Sequence, residues 1–392
     1  MVSRRDVLKI AVAGVAGLVV GSAAGFYARE GEVSSLKKRV EDLMGKAGVE
    51  LEDEIDIYNW TWYANLNLIE EWAKENNIKL VYDFYESNDE LVATLETGAV
   101  AYDIVVPSAS YIPYLIEKGY LQEIDLDKIP NFEYVPEEFK GLPYDPENRY
   151  TVIYSYGTTG IGYNADFVPE GITSWADLFD VDNPDSVIRR HAGKVTMLTE
   201  STEVIASAAI YLGYPAETTD RDQLEDIADL LIKQKKYLYG YVSTEDYMEE
   251  LPIGSRYYIS QAWNGDIAGI VYASDEREVL IEKYYENIKY VVPEEGAVVW
   301  FDNFAIPINA KHVEAAHAFI NWFLDPVISA IHTLTIKYPY PAGIPYVPKE
   351  IAEDPMIFTP KDLLKKLYWF ALSPEEKAIR EEYWNKVQAA SV

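Results

Sequence analysis

From Ile55 onward the chain alternates two hydrophobic periods. Ile55–Trp60 reads as a short strand, and Leu66–Asn76 as a helix with Leu66, Ile69, Trp72 and Ala73 on one face. Lys79–Phe84 is a second strand. Ser87 then opens a helix, with Glu90 three residues on at the spacing of a reciprocal N-cap. Asp103–Val106 is a buried strand that stops at Pro107-Ser108, and a helix through Tyr114 and Leu115 follows. This βαβαβ rhythm predicts a mostly parallel sheet with helices on both faces.

A second unit begins near Thr158. Ser174 and Asp177 repeat the capping spacing ahead of Trp175 and Leu178. Lys194–Leu198 is a strand, followed by helices over Ser201–Leu212, closed by Gly213, and Arg221–Gln234. Tyr257–Trp263 and Tyr290–Val292 are further strands. Val298–Pro307 reads as a strand returning to the first unit, with Val313–Phe323 a helix packed there. The stretch Gln122–Arg149 is acidic, contains proline and reads as surface loop. A length of 392 residues fits two domains better than one.

The first 54 residues follow a different pattern. Ser3-Arg4-Arg5-Asp6-Val7-Leu8-Lys9 resembles a twin-arginine export signal, with Val7 where phenylalanine is usual. Ile10 to Tyr27 is uncharged and about 27 Å long as a helix, near the thickness of a bilayer core. Both a cleaved signal and a retained membrane anchor fit residues 1–28. Residues 29–54 are highly charged, and Val33, Leu36, Val40 and Leu43 recur at helical spacing, which predicts a short stalk.

Charge narrows the functional classes. The net charge is -31, with 65 acidic residues against 34 basic. Nucleic-acid binding is excluded on that balance, because phosphate contacts need a basic surface. A cationic partner is favoured, and simple solubility is the plain alternative. There is no cysteine, which removes disulfides, thiolate metal sites and lipidated anchors.

Three aromatic–acidic groupings stand at expected strand ends. Asn59-Trp60-Thr61-Trp62-Tyr63 crowds rings where a strand stops, the place where α/β folds put ligand contacts. Trp263-Asn264-Gly265-Asp266 ends another strand, and Trp300-Phe301-Asp302 does the same two strands later. Glu200 and Glu203 sit three apart at a helix start after a strand. Each grouping alone is explained by core packing or helix capping. Together they describe one site for an elongated amine, with rings along its methylenes and carboxylates at its ammonium groups. Glu200 and Glu203 also admit a glycosidase acid and nucleophile, although both lie on one short segment and the catalytic pair must flank a sugar. Gly157-Thr158-Thr159-Gly160-Ile161-Gly162 has the wrong spacing for a dinucleotide fingerprint and reads as a hinge or a close backbone approach. His191, His312, His317 and His332 show no useful metal-ligand spacing. Tyr257-Tyr258 and Tyr284-Tyr285 admit ferric capture by phenolates but fit packing better.

With these motifs the chain resembles the spermidine/putrescine-binding proteins of ABC importers. The resemblance runs from Ile55 to Tyr383. It also includes Tyr85-Glu86-Ser87-Asn88, Tyr102-Asp103-Ile104-Val105-Val106-Pro107-Ser108, Thr173-Ser174-Trp175-Ala176-Asp177-Leu178 and Tyr338-Pro339. It implies a type II periplasmic-binding-protein fold of two α/β lobes. Each lobe is a mostly parallel sheet flanked by helices, joined to the other by hinge crossovers, and the N-terminal helix and stalk precede them. Residues 55–157 plus 300–345 would form one lobe, and 158–299 plus 346–392 the other. Trp60, Trp263 and Trp300 match the family's aromatic walls. Thr61, Tyr63 and Ser108 match first-loop and third-strand contacts. Glu200 and Glu203 match its amine-holding acids, Asp302 the carboxylate at the centre of the site, Asp266 an acidic position of the putrescine-preferring members, and Tyr338 a late aromatic contact. Trp62 replaces a usual acid, Ser110 a usual ring and Phe370 a polar contact.

The resemblance further implies an extracytoplasmic monomer that captures spermidine or putrescine. The monomer hands the amine to the membrane subunits of an ABC permease, with no cofactor, no metal and no covalent chemistry. The rival readings are a binding protein for another cationic solute or ferric iron, a glycan-active surface enzyme, and an amine sensor for a signalling receptor.

Overall fold

A computed structural model describes residues 51–272, 284–360 and 363–391. The twin-arginine segment and the stalk up to residue 50 lie outside the described residues. Ten strands form one strongly crossed-over sheet: β1 (Glu54–Trp60), β2 (Lys79–Tyr85), β3 (Ile104–Val105), β4 (Thr151–Asn164), β5 (Val195–Leu198), β6 (Leu238–Val242), β7 (Ile259–Trp263), β8 (Ile288–Val291), β9 (Ala297–Ala305) and β10 (Leu367–Tyr368). The order is β2-β1-β3-β9-β4-β7-β5-β6, with β8 on β4 and β10 on β9. Pairing is parallel within β2-β1-β3 and within β7-β5-β6. It is antiparallel wherever β4 and β9 meet each other, and where they meet β3, β7 and β8.

The parallel halves carry the cores. In β1, Ile55 and Ile57 enter one apolar cluster while Tyr58 enters another, so side chains at period two are buried on both faces. The first cluster is closed by α8 (Val313–Phe323), through Ala316, Phe319 and Phe323. A separate large cluster surrounds β5 and β7 and includes Trp175, Val204, Leu224, Ile267 and Trp384. The helices that matter for the cleft are α1 (Leu66–Glu75), α2 (Asn88–Thr97), α3 (Ile112–Glu117), α4 (Ser201–Leu212), α5 (Arg221–Lys235), α6 (Thr244–Ile253), α7 (Asn264–Tyr272), α8, α9 (Pro326–Ile336) and α10 (Pro374–Ala389). Ser87 caps α2 by accepting from the Glu90 N–H at 3.2 Å. The expected return contact differs: Glu90 Oε2 accepts from the Glu86 N–H at 3.0 Å, one residue before the cap.

Within the described residues, the elements read from periodicity form. The principal difference is β4. Its 14 residues are buried at almost every position, so its sequence shows no alternation to read. The Gly157–Gly162 run lies inside this strand and is not a hinge loop. The glycines there serve close approach. A Cβ on Gly157 would collide with the Trp300 ring and the Asn264 amide, and one on Gly162 with Ile267. Trp300 and Asp302 likewise lie inside β9, not at a strand end, with Trp300 opposite Gly157 and Asp302 opposite Ser155.

Gly157→Ala forces the Trp300 ring or its strand to move. The expected loss is about 1–3 kcal/mol, read by urea denaturation with a tryptophan fluorescence readout. Wild-type stability with an unchanged spectrum would show that the approach is not tight.

Candidate functional site

Several strand ends converge on one cleft of about 630 Å³, open to solvent. In β1, Trp60 is the last residue, and the chain turns at Trp62 with a φ of +58°. This left-handed residue reverses the chain. Tyr63 can then re-enter the core, where its carbonyl accepts from the hydroxyls of Tyr154 and Tyr340. β3 delivers Ser108, β5 delivers Glu200 and α4 delivers Glu203. β7 ends at Trp263, and α7 carries Asp266 in its first turn. β9 contributes Trp300 and Asp302, two apart and therefore on one face. Tyr338 follows α9.

The walls are rings. Trp60 lies 6.2 Å from Trp263 between centroids and 4.8 Å from Tyr85. Trp300 lies 5.4 Å from Tyr338, and Tyr63 lies 5.0 Å from Tyr338. Trp60 Nε1 donates to the Val106 carbonyl at 3.0 Å, which fixes its plane. The Trp300 Nε1 is buried with no partner.

The carboxylates divide by how they are held. Asp302 accepts from Tyr63 Oη at 2.9 Å and Ser108 Oγ at 2.6 Å. Ser108 is in turn set by Asn88, whose Nδ2 donates to Ser108 Oγ at 3.1 Å. Asp266 accepts from Tyr338 Oη at 2.7 Å and from the Tyr247 hydroxyl. Glu200 and Glu203 differ. They are only 6% and 8% exposed, yet both oxygens of Glu200 and one of Glu203 are buried without a hydrogen-bond partner. An unpaired buried charge is strongly unfavourable, so protons return to these groups.

Burial is the main cause in each case. It pushes Glu200 up to about 8, aided by Asp89 and Glu203 and opposed by Lys377 and the Thr202 N–H. That N–H lowers the value without closing a hydrogen bond on the carboxylate. Burial takes Glu203 to about 7, opposed by the Thr159 hydroxyl and Arg380 and aided by Asp302. Asp302 rises to about 7 against its Ser108 and Tyr63 bonds, and Asp266 to about 6 against its two tyrosine bonds.

All eleven residues singled out in the sequence line this cleft: Trp60, Thr61, Tyr63, Ser108, Glu200, Glu203, Trp263, Asp266, Trp300, Asp302 and Tyr338. Of the three departures, Ser110 lines it and the other two do not. Trp62 is 52% exposed and absent from the lining, because the left-handed turn separates it from its neighbours. Phe370 is buried in the large apolar cluster around β5 and β7, with the Arg380 guanidinium 5.4 Å from its ring. Sequence reading did not nominate Tyr85, Glu86, Asn88, Tyr111, Thr202 or Thr244, which also line the cleft. Tyr85 and Glu86 sit at and just past the end of β2, the same strand-end position that marked Trp60.

Tyr257, Tyr258, Tyr284, Tyr285 and the four histidines are not in the lining. His312 instead pairs with Asp103 at 2.8 Å near Asp56. Both Asp103 oxygens are already engaged there, by backbone N–H groups of Asp56, Lys311 and His312.

Residues 67–359 match the family of bacterial extracellular solute-binding proteins. The spermidine/putrescine-binding periplasmic protein of Salmonella typhimurium is 34% identical over 345 residues, covering 86% of this chain and 92% of that one. The TpPotD lipoprotein of Treponema pallidum superposes with a TM-score of 0.72 at 27% identity, over 86% of this chain and 99% of that one. A spermidine/putrescine ABC transporter substrate-binding protein from Streptococcus pneumoniae gives 0.68 at 25% identity, with the same coverage of 86% and 99%. The shared architecture is the two-lobed type II periplasmic-binding fold. The chain therefore belongs to the bacterial extracellular solute-binding proteins, among relatives that are spermidine/putrescine-binding periplasmic proteins.

Proposed function

We propose that this protein captures a polyamine outside the cytoplasmic membrane and delivers it to the membrane subunits of an ABC importer. The observation that carries the reading is the pair of buried carboxylates, Glu200 and Glu203, left without partners in a cleft walled by tryptophans. An ammonium group supplies the missing donors and the compensating charge. Ring faces suit the methylenes and the cation alike, at about 0.5–2 kcal/mol for each cation–ring contact.

In this reading Trp60, Trp263, Trp300 and Tyr338 hold the spine. Glu200, Glu203, Asp266 and Asp302 hold ammonium groups, and Thr61, Tyr63 and Ser108 complete or orient the polar contacts. Residues 55–157 plus 300–345 form one lobe and 158–299 plus 346–392 the other, and the lobes close on the ligand as a monomer. Residues 1–28 act as a twin-arginine export signal or retained anchor. The protein performs no covalent chemistry: Glu200 and Glu203 sit at one helix start, the wrong arrangement for flanking a glycosidic bond.

Trp300→Ala and Asp302→Ala are each expected to weaken spermidine and putrescine binding by more than about tenfold in calorimetric titration. Unchanged affinity in both would remove the site from consideration.

The raised carboxyl groups give a pH signature with a definite sign. An ammonium ligand needs the charged form, so affinity rises as pH climbs through the values of about 6 to about 8 set by Asp266 and Glu200. Binding near pH 7 is expected to release protons, seen as a buffer-dependent enthalpy. For folding the sign is opposite. The native state keeps protons on Glu200 that the unfolded chain, near the ordinary 4.5, has shed, so this group makes stability fall as pH rises from 4.5 to about 8. The melting-temperature difference between the free wild-type protein and Glu200→Gln isolates this group, and a difference that grows in favour of wild type over that interval would contradict the buried-glutamate account.

A further inference from the structure

An ion pair crosses the Glu200 end of the cleft. We propose that Lys377 is a positioning residue for ligand retention: its ammonium, held between the Asp89 carboxylate and the Tyr111 ring, clasps one lobe to the other. This rests on the polyamine reading and its two lobes, and adds a residue outside the cleft lining on which capture depends.

α10 belongs to the lobe of β5 and β7. Trp384 and Val387 enter the apolar cluster around those strands. Arg380 donates to the Ala216 carbonyl at 2.8 Å and to the Thr202 carbonyl at 3.2 Å. Arg221 of α5 pairs with Glu382 at 3.1 Å, and Glu225 of α5 pairs with Lys386. These contacts fix the helix against α4 and α5. Lys377 leaves that set and reaches the other lobe. Its Nζ contacts Asp89 Oδ1 in the first turn of α2. The same Nζ lies 3.9 Å from the centroid of the Tyr111 ring. Tyr111 Oη donates to that Asp89 oxygen at 3.2 Å, so the ring that receives the cation also sets the anion. Tyr111 is buried in the apolar cluster of Tyr58 and Tyr85, which belongs to the β1–β3 side. Beside the pair, the Leu372 N–H donates to the Ser110 carbonyl at 3.3 Å, a backbone tie between the same two lobes.

Charge explains why a cation is needed here. Asp89 on one lobe repels Glu200 and Glu381 on the other, and Lys377 offsets both repulsions. The side chains of Lys377 and Asp89 are 22% and 47% exposed, so the pair adds little to the stability of the fold. Its place between the lobes gives it a kinetic role. An enclosed amine leaves when the lobes part, and parting them separates Lys377 from Asp89 and from the Tyr111 ring face.

The test is stopped-flow tryptophan fluorescence of the purified full chain with spermidine. It compares wild type with Lys377→Met, Asp89→Asn, the double variant and Lys377→Arg. Lys377→Met should speed dissociation about tenfold, with association changed less than about twofold. Asp89→Asn should speed dissociation about threefold, less because it also removes the repulsion. The double variant should match Asp89→Asn, since no ion pair is left to lose. Lys377→Arg should stay within about threefold of wild type. Melting temperatures of the free proteins should not move. If both residues act only through the charge on Glu200, Lys377→Met speeds dissociation and Asp89→Asn slows it. Opposite signs of that kind would overturn the clasp, as would multiplying losses in the double variant, effects confined to association, or unchanged rates. Failure of wild type to bind spermidine or putrescine would instead overturn the polyamine reading.

Discussion

The antiparallel pairing of β4 with β9 is the constraint on which the rest depends. These two strands run through the centre of the sheet, with a parallel set of strands on either side. Their register puts Trp300 opposite Gly157 and Asp302 opposite Ser155, and the register shift near Ile153 and Ser155 sits beside that pair. Because strand side chains alternate, Trp300 and Asp302 face the same way, into the space bounded by the outer strand ends. Gly157 is small because the Trp300 ring occupies the volume where a side chain would go. The cleft thus has its central ring and central carboxylate on the antiparallel pair at the middle of the sheet, and its other contacts on strand ends and helix starts.

The electrostatics of the cleft run against stability. Asp302 and Asp266 are each held by two hydroxyls, which supports their charge without neutralising it. Glu200 and Glu203 lack even that at three of their oxygens, and they lie close enough to repel each other. Keeping these groups charged without a partner would cost several kcal/mol each, and the raised values show the free protein avoiding that cost by holding protons on them. The same deficit becomes affinity when an ammonium arrives, since the Glu200 and Glu203 carboxyls are already buried before the ligand enters. Lys377 and Arg380 temper the deficit from the far side without filling the cleft.

Much of this was legible in the sequence, for specific reasons. Trp60 and Trp263 were found because a strand-ending tryptophan beside polar residues is an unusual use of a large ring. Glu200 and Glu203 were found because a spacing of three places two acids on one helix face. Glu86 was noted only as part of the run Tyr85-Glu86-Ser87-Asn88 and not as a cleft residue, because only the β1–β2 register brings it level with Thr61. Trp62 misled in the opposite direction. Its position in the aromatic run looked functional, but a φ of +58° turns it out of the cleft.

The sequence by itself determined the local elements, since hydrophobic period and capping residues act within a few positions of one another. It also determined the acidic, ring-rich chemistry, and through its motifs the family. Tertiary structure decided what local signals cannot carry. β4 is buried on every side, so its sequence has no period to betray that it is one continuous strand. Which carboxylates are left unpartnered depends on neighbours hundreds of residues away, as when Ser108 and Tyr63 close on Asp302 and nothing closes on Glu200. Pairing between distant strands is fixed by packing and register, and it is there that the cleft and its vacant hydrogen bonds arise.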